Sequence, residues 1–178
     1  MIKTTNKILG IDPGLRVTGY GVIFNSSGSI RYEASGIIKT TNVNTNLASR
    51  IKIIILGLEE VIEQFKPDCV SIEKVFVNTN PQSTLLLGQA RGAAISAAVM
   101  KNLDVYEYTA LQVKKSVVGM GHASKSQVQI MVQKLLGLPS IPSPDSADAL
   151  ACSICHANIS GSIAKFGTGN RMKSGRII

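Results

Sequence analysis

The sequence contains no tryptophan, and aromatic residues make up only 4% of it. A core built from such a chain must be aliphatic and rich in alanine. No apolar run reaches the roughly 18–20 residues needed to span a bilayer. The longest candidate, GAAISAAVM at 92–100, is short and is closed by Arg91 and Lys101. The apolar stretch ahead of Asp12 is too short for a signal peptide, so a cytoplasmic location and no membrane partner are expected. There are only three cysteines, Cys69, Cys152 and Cys155, and in that compartment they are expected as reduced thiols. Acids are scarce in the second half. After Glu107 only Asp145 and Asp148 remain, against eight Lys or Arg, a local net charge of +6 within a total of +8. An excess of that size suits an anionic partner such as nucleic acid, although solubility alone also accounts for it.

What is present fits one globular domain. The 178 residues with 44% hydrophobic content are enough to bury a real core. KILGID at 7–12 is a short apolar run ending at Pro13-Gly14. TGYGVIF at 18–24 is β-rich, Asn25-Ser26-Ser27-Gly28 reads as a hairpin turn, and 29–39 returns as a third strand. Leu47, Ile51, Ile54, Leu58, Val61, Ile62 and Phe65 then recur at helical spacing. CVSIE at 69–73 reads as a buried strand, and Asn80-Pro81 as an N-cap and first turn of a helix running to about Lys101. Gly88 and Gly92 put a smooth stripe on that helix, suited either to packing on its own sheet or to an interface. DVYEY at 104–108 is a fifth strand, followed by helices near 110–118 and 125–136 and a last helix from about Asp145. The order βββ-α-β-α-β-α-α-α predicts an α/β fold. Its five-stranded mixed sheet is antiparallel through β1–β3 and parallel beyond, with helices on both faces. Residues 1–158 are expected to form the domain and 159–178, Gly/Ser-rich and basic, a mobile tail.

Residues 144–156, PDSADALACSICH, run two aspartates into the spacing used for covalent haem attachment. Without an export signal, haem is not expected. Cys152, Cys155 and His156 also offer too few ligands for structural zinc. The favoured reading is a packed helix with inert cysteines.

Four acids fall at notable places. Asp12 closes the first strand, Glu73 closes the fourth, and Asp145 and Asp148 share one face at the start of the last helix. Sites in α/β sheets form at strand ends, so Asp12 and Glu73 could converge. Each acid also has a plain explanation, as a turn residue, a surface charge or a first-turn acid favoured by the helix dipole. The charge distribution favours a site. Lysines neutralise a phosphodiester backbone. Carboxylates beside them would repel such a substrate unless they held hard divalent cations, and Mg²⁺ suits oxygen ligands. Two ions about 3.5–4 Å apart can activate a water and stabilise the leaving oxygen.

GIDPGLRVTGYGV, SIEKVF, LLLGQARGAA, QVKKSVVGMGHASKSQVQ and PDSADALA together resemble RuvC, the bacterial Holliday-junction resolvase family, in order and at family spacing over about residues 7–157. The resemblance implies a ribonuclease-H-like fold, a homodimer and paired, symmetric nicking of four-way junction DNA in recombination and repair. It implies an acidic tetrad of Asp12, Glu73, Asp145 and Asp148 around two Mg²⁺ ions, with Mn²⁺ as a possible substitute. Asp12 would bridge both ions, and Asp145 stands where some relatives carry histidine. Water would be the nucleophile, leaving 3′-hydroxyl and 5′-phosphate ends. Lys114 and Lys125 match family lysines near the scissile phosphate, Lys125 as a catalytic residue. Phe76 matches an aromatic that stacks on an unpaired base. The RuvA–RuvB branch-migration complex is the implied partner. Three other readings compete. GIDPG also resembles the phosphate loop of actin-like kinases, which need a longer chain. The related YqgF family acts on RNA, but LGQARG and PDSADAL favour RuvC. A non-catalytic junction-binding protein would need a broken tetrad, and all four acids are present.

Overall fold

The computed structural model describes residues 5–26, 29–41, 46–75 and 80–167. Three strands come first: β1 (Thr5–Asp12), β2 (Val17–Ser26) and β3 (Ser29–Lys39). They pair as an antiparallel meander, with Ser26 opposite Ser29 at the hairpin and Asp12 opposite Gly19. Helix α1 (Leu47–Phe65) leads to β4 (Cys69–Lys74), α2 (Pro81–Met100) and β5 (Asp104–Thr109). Helices α3 (Ala110–Val118), α4 (Lys125–Leu136) and α5 (Pro144–Gly167) complete the chain. β4 joins β1 in parallel, β5 joins β4 in parallel, and the strand order is β3-β2-β1-β4-β5. This is the expected five-stranded mixed sheet. No helix among the described residues is long and apolar enough to cross a membrane.

Alternation along the strands sorts side chains to two faces. Leu9, Ile11, Val22, Val70 and Ile72 point to one face, where Ile54, Leu58, Val61 and Ile62 of α1 and the alanines of α2 cover them. Ile8, Ile23, Cys69 and Tyr108 point to the other, against Val113 and Val117 of α3, Val128 and Val132 of α4, and Leu150 and Ile154 of α5. Helices therefore lie on both faces, and the core is aliphatic as the composition required. The helix ends follow their local signals. Thr109 with Gln112 and Ser124 with Gln127 form capping boxes at the starts of α3 and α4. Gly119 and Gly137 end the same helices at φ +84° and +61°, a conformation that costs glycine least.

The two readings left open for Gly88 and Gly92 are now separated. Neither meets any neighbour, so they are not packed on the sheet. Ala90, Ala93, Ala94, Ala97 and Ala98 fill that inward role. α5 runs on to Gly167, past the boundary expected at 158, so the first part of the expected tail is helical. The residues beyond 167 lie outside the described residues.

α5 is seated on the sheet through a row of small residues. Gly21, Gly10 and Ser71 are cross-strand neighbours on β2, β1 and β4. A side chain at Gly10 would collide with the carbonyl oxygen of Ala149 and stand 2.8 Å from the Ser153 nitrogen. A side chain at Gly21 would stand 2.6 Å from Cγ of Leu150. The Ser71 hydroxyl instead donates to the Cys152 carbonyl at 2.7 Å. Gly10→Ala should therefore cost about 2–4 kcal/mol, because the obstacle is helix backbone that cannot rotate away. Urea unfolding checks this: a lower midpoint at unchanged slope is expected. An unchanged midpoint would mean that α5 does not press on β1.

Candidate active site

Asp12 and Glu73 stand at the C-terminal ends of adjacent parallel strands. The β1–β4 ladder closes at Ile11 opposite Ile72, and the next residue on each strand is one of the two acids. Both follow Ile8–Gly10 and Cys69–Ser71 on the same side of the pleat, so they face α5. Asp145 and Asp148 come to them on the first turns of that helix. Ser143 caps it, accepting from the Ser146 amide at 3.4 Å, and Pro144 occupies the first helical position, where its missing N–H costs nothing. The Ser146 hydroxyl also donates to the Gly36 carbonyl, tying the helix start to β3. Gly19, opposite Asp12, allows the approach: a side chain there would collide with the Asp145 carbonyl oxygen and stand 2.6 Å from its carbon.

The four carboxylates act on one another. Asp12 is pushed up to about 7, first by burial and then by the charges of Asp148, Glu73 and Asp145, with Lys125 opposing. Burial likewise raises Glu73, helped by Asp148 and opposed by Lys114 and Lys125. Asp148 is raised by burial and held back by Lys125, whose ammonium stands 3.5 Å from its carboxylate. That lysine is largely exposed, so the pair contributes little to stability. Lys114, on α3, is near enough to Glu73 and Asp148 to favour their charged forms. Lys125 opens α4 directly after the Ser124 cap. Thus the structure brings together Asp12, Glu73, Asp145, Asp148, Lys114 and Lys125. Phe76 lies outside the described residues.

The donor set fits divalent cations by its chemistry. It is all carboxylate oxygen, and burial followed by the charges of the neighbouring acids pushes Asp12 up to about 7. Among the described residues, no group of three or more His, Cys, Asp or Glu side chains is arranged to hold a metal ion as it stands.

The C-x-x-C-H segment belongs to the packing instead. Cys152 and Cys155 are buried, and burial pushes both thiols up, Cys155 to about 11. Nδ1 of His156 shares a 2.7 Å hydrogen bond with the Tyr108 hydroxyl, and its ring lies 4.2 Å from that of Tyr106. Sequence reasoning missed two features here. Gly10, Gly19 and Gly21 at alternate strand positions signal close backbone approach, and that signal was available. Arg91, whose Nε donates to the Glu73 carbonyl at 3.3 Å, carried no local signal.

Comparison with known proteins identifies the family. The family model described as Crossover junction endodeoxyribonuclease RuvC matches residues 8–156. A protein of that name from Methylobacillus flagellatus is 60% identical, covering 98% of this chain and 99% of its own length. One from Azoarcus sp. is 57% identical, over 97% and 93%. The solved structure of T. thermophilus RuvC in complex with Holliday junction substrate superposes with a TM-score of 0.81 at 32% identity, covering 88% of this chain and 96% of that one. The yeast mitochondrial Holliday junction resolvase Ydc2, at 10% identity and a TM-score of 0.65, shares the fold. With its ribonuclease-H-like sheet and near full-length similarity to these proteins, the chain belongs to the RuvC family of crossover junction endodeoxyribonucleases.

Proposed function

We propose that this protein resolves four-way DNA junctions by hydrolysing one phosphodiester bond in each of two opposed strands. The observation that carries the reading is the meeting of four carboxylates, buried enough to raise Asp12 to about 7, beside the lysines of α3 and α4. Asp12, Glu73, Asp145 and Asp148 would hold two divalent ions, Mg²⁺ by hardness of ligand, with Mn²⁺ an acceptable substitute. When bound, such ions lower the pKa of an attacking water and stabilise the leaving oxygen. The protein's own part is placement. The strand ends set Asp12 and Glu73 side by side, and α5 presents Asp145 and Asp148 opposite them. Lys114 and Lys125 supply positive charge where the phosphate must sit, Lys125 standing 3.5 Å from the Asp148 carboxylate. Water attack leaves 3′-hydroxyl and 5′-phosphate ends, and no covalent intermediate is required. Phe76, next to the end of β4 in sequence, would stack on an unpaired base at the crossover.

Two opposed cuts need two sites related by a two-fold axis, which a homodimer provides. α2 offers a suitable surface. Leu85, Gly88, Gly92, Ser96 and Val99 recur at helical spacing, and all are exposed, the glycines without neighbours. Action beside RuvA–RuvB in the cytoplasm completes the reading, as the family resemblance implies.

The first test uses an end-labelled mobile junction beside a linear duplex of matched sequence, with Mg²⁺ or with EDTA. Symmetric paired nicks are expected in the junction alone, and only with metal. Asp148→Asn should lower the cleavage rate by more than about 10²-fold while the junction still binds. Lys125→Ala should slow cleavage by about 10–10²-fold. Junction binding without cutting would favour a binding module, and cutting of RNA alone would favour the YqgF-type reading.

Stability against pH gives a second test. The folded protein holds a proton on Asp12 up to about pH 7, whereas the unfolded chain releases it near the ordinary carboxylate value of 3.8. The native state therefore binds more protons across that window, and metal-free stability falls as pH rises through it. Asp12→Asn should remove the Asp12 share of this slope, leaving that of Glu73 and Asp148, and stabilise the metal-free protein at pH 8 by on the order of 1–3 kcal/mol, with little gain at pH 4. Denaturant melts at the two pH values check it, and equal gains at both would refute the buried-carboxylate account.

A further inference from the structure

Arg91 lies on α2, and its side chain crosses to the sheet. Its Nε donates to the main-chain carbonyl of Glu73 at 3.3 Å, and its Nη2 forms an ion pair with the carboxylate of Glu107 on β5. Glu107 is the parallel-register neighbour of Ile72, the residue before Glu73. One guanidinium therefore joins α2, the end of β4 and β5. The β1–β4 ladder stops at Ile72, so Glu73 is the first residue of β4 beyond the pairing with β1, while it stays in register with Tyr108 of β5. Arg91 adds a side-chain donor to the main chain of the residue whose side chain enters the acidic cluster.

We infer that Arg91 is a positioning residue for the metal-binding reading of this site: by clamping the Glu73 backbone to α2 and β5 it sets where the Glu73 carboxylate enters the cluster. The guanidinium suits this task because its planar fork can serve a carbonyl with one nitrogen and a carboxylate with another. An ammonium on a flexible stem can satisfy one of them but does not hold both in a fixed relation. Arg91 reaches the chemistry only through Glu73. Removing it should loosen a metal ligand without removing any ligand, and partners that orient ligands in this way typically change affinity by about 10–100-fold.

The experiment measures Mn²⁺ binding to the full-length protein without DNA, from the electron paramagnetic resonance signal of the free ion. Arg91→Lys, Glu107→Gln, Glu73→Gln and the double variant Arg91→Lys/Glu73→Gln are compared with the parent. Arg91→Lys is expected to weaken Mn²⁺ binding by about 10-fold or more. Glu107→Gln keeps an acceptor for the guanidinium but loses the ion pair, and a smaller weakening is expected. Once Glu73→Gln has been made, adding Arg91→Lys should change nothing further, because the two act as one unit. A brace that merely supported the fold would weaken binding equally in both backgrounds, and that result would overturn the inference. Unchanged Mn²⁺ affinity in a folded Arg91→Lys protein would overturn it too. If Arg91→Lys does not fold, Glu107→Gln decides, and parental affinity there refutes the clamp. This inference rests on the nuclease reading only through the metal. A parent that binds Mn²⁺ but cuts no junction would sink that reading and leave the clamp to be judged by the binding data. A parent that binds no Mn²⁺ would sink both.

Discussion

At three glycines of β1 and β2, α5 comes down onto the sheet with no side chain of the strand in between. Gly10 and Gly19 leave space that the carbonyls of Ala149 and Asp145 fill, and Gly21 leaves space for Leu150. This contact decides where the first turns of α5 stand relative to the strand ends. With ordinary side chains at those three positions the helix would be held off the sheet. Asp145 and Asp148 would then sit farther from Asp12. Glycine inside a strand costs conformational entropy and gives nothing to pack. Here that cost is offset by helix burial, with Leu150 and Ile154 fully covered and Ser71 bonded to the helix carbonyl of Cys152.

Close seating creates the electrostatic problem that defines the site. Carboxylates from two strands and one helix are confined where water is partly excluded, and burial together with neighbouring negative charge makes Asp12, Glu73 and Asp148 harder to ionise. The local relief is incomplete. The N-terminus of α5 favours negative charge on its first turn, and Lys125 and Lys114 add positive charge from the side. Asp12 nonetheless keeps its proton to about pH 7. A site arranged this way is unsatisfied as an apoprotein and gains most from a cation, which is the electrostatic form of a poised binding site.

The two faces of α2 divide the remaining work. Alanines turn inward to let the helix lie close on α1 and the sheet, and Arg91 reaches from its flank to the end of β4. The outward stripe is left bare. α3 and α4 are shorter, and their ends are held by capping boxes and left-handed glycines, so the lysines they carry have fixed points of origin.

Much of this was legible in the chain itself. The short apolar runs KILGID and CVSIE placed Asp12 and Glu73 at strand ends, and Asn80-Pro81 marked the start of a helix, because apolar runs, caps and turn residues are local physics. The order of elements was enough to predict the mixed sheet. The outward turn of Gly88 and Gly92, the burial of His156 against Tyr108 and the reach of Arg91 to Glu73 were decided only by tertiary structure. Each depends on which residues from distant parts of the chain compete for one volume. A glycine pair reads the same whether it faces a sheet or open space, and an arginine carries no mark of the carbonyl it will find. Local rules set what each segment becomes, while the packing of α5 and α2 on opposite faces sets which of its groups meet.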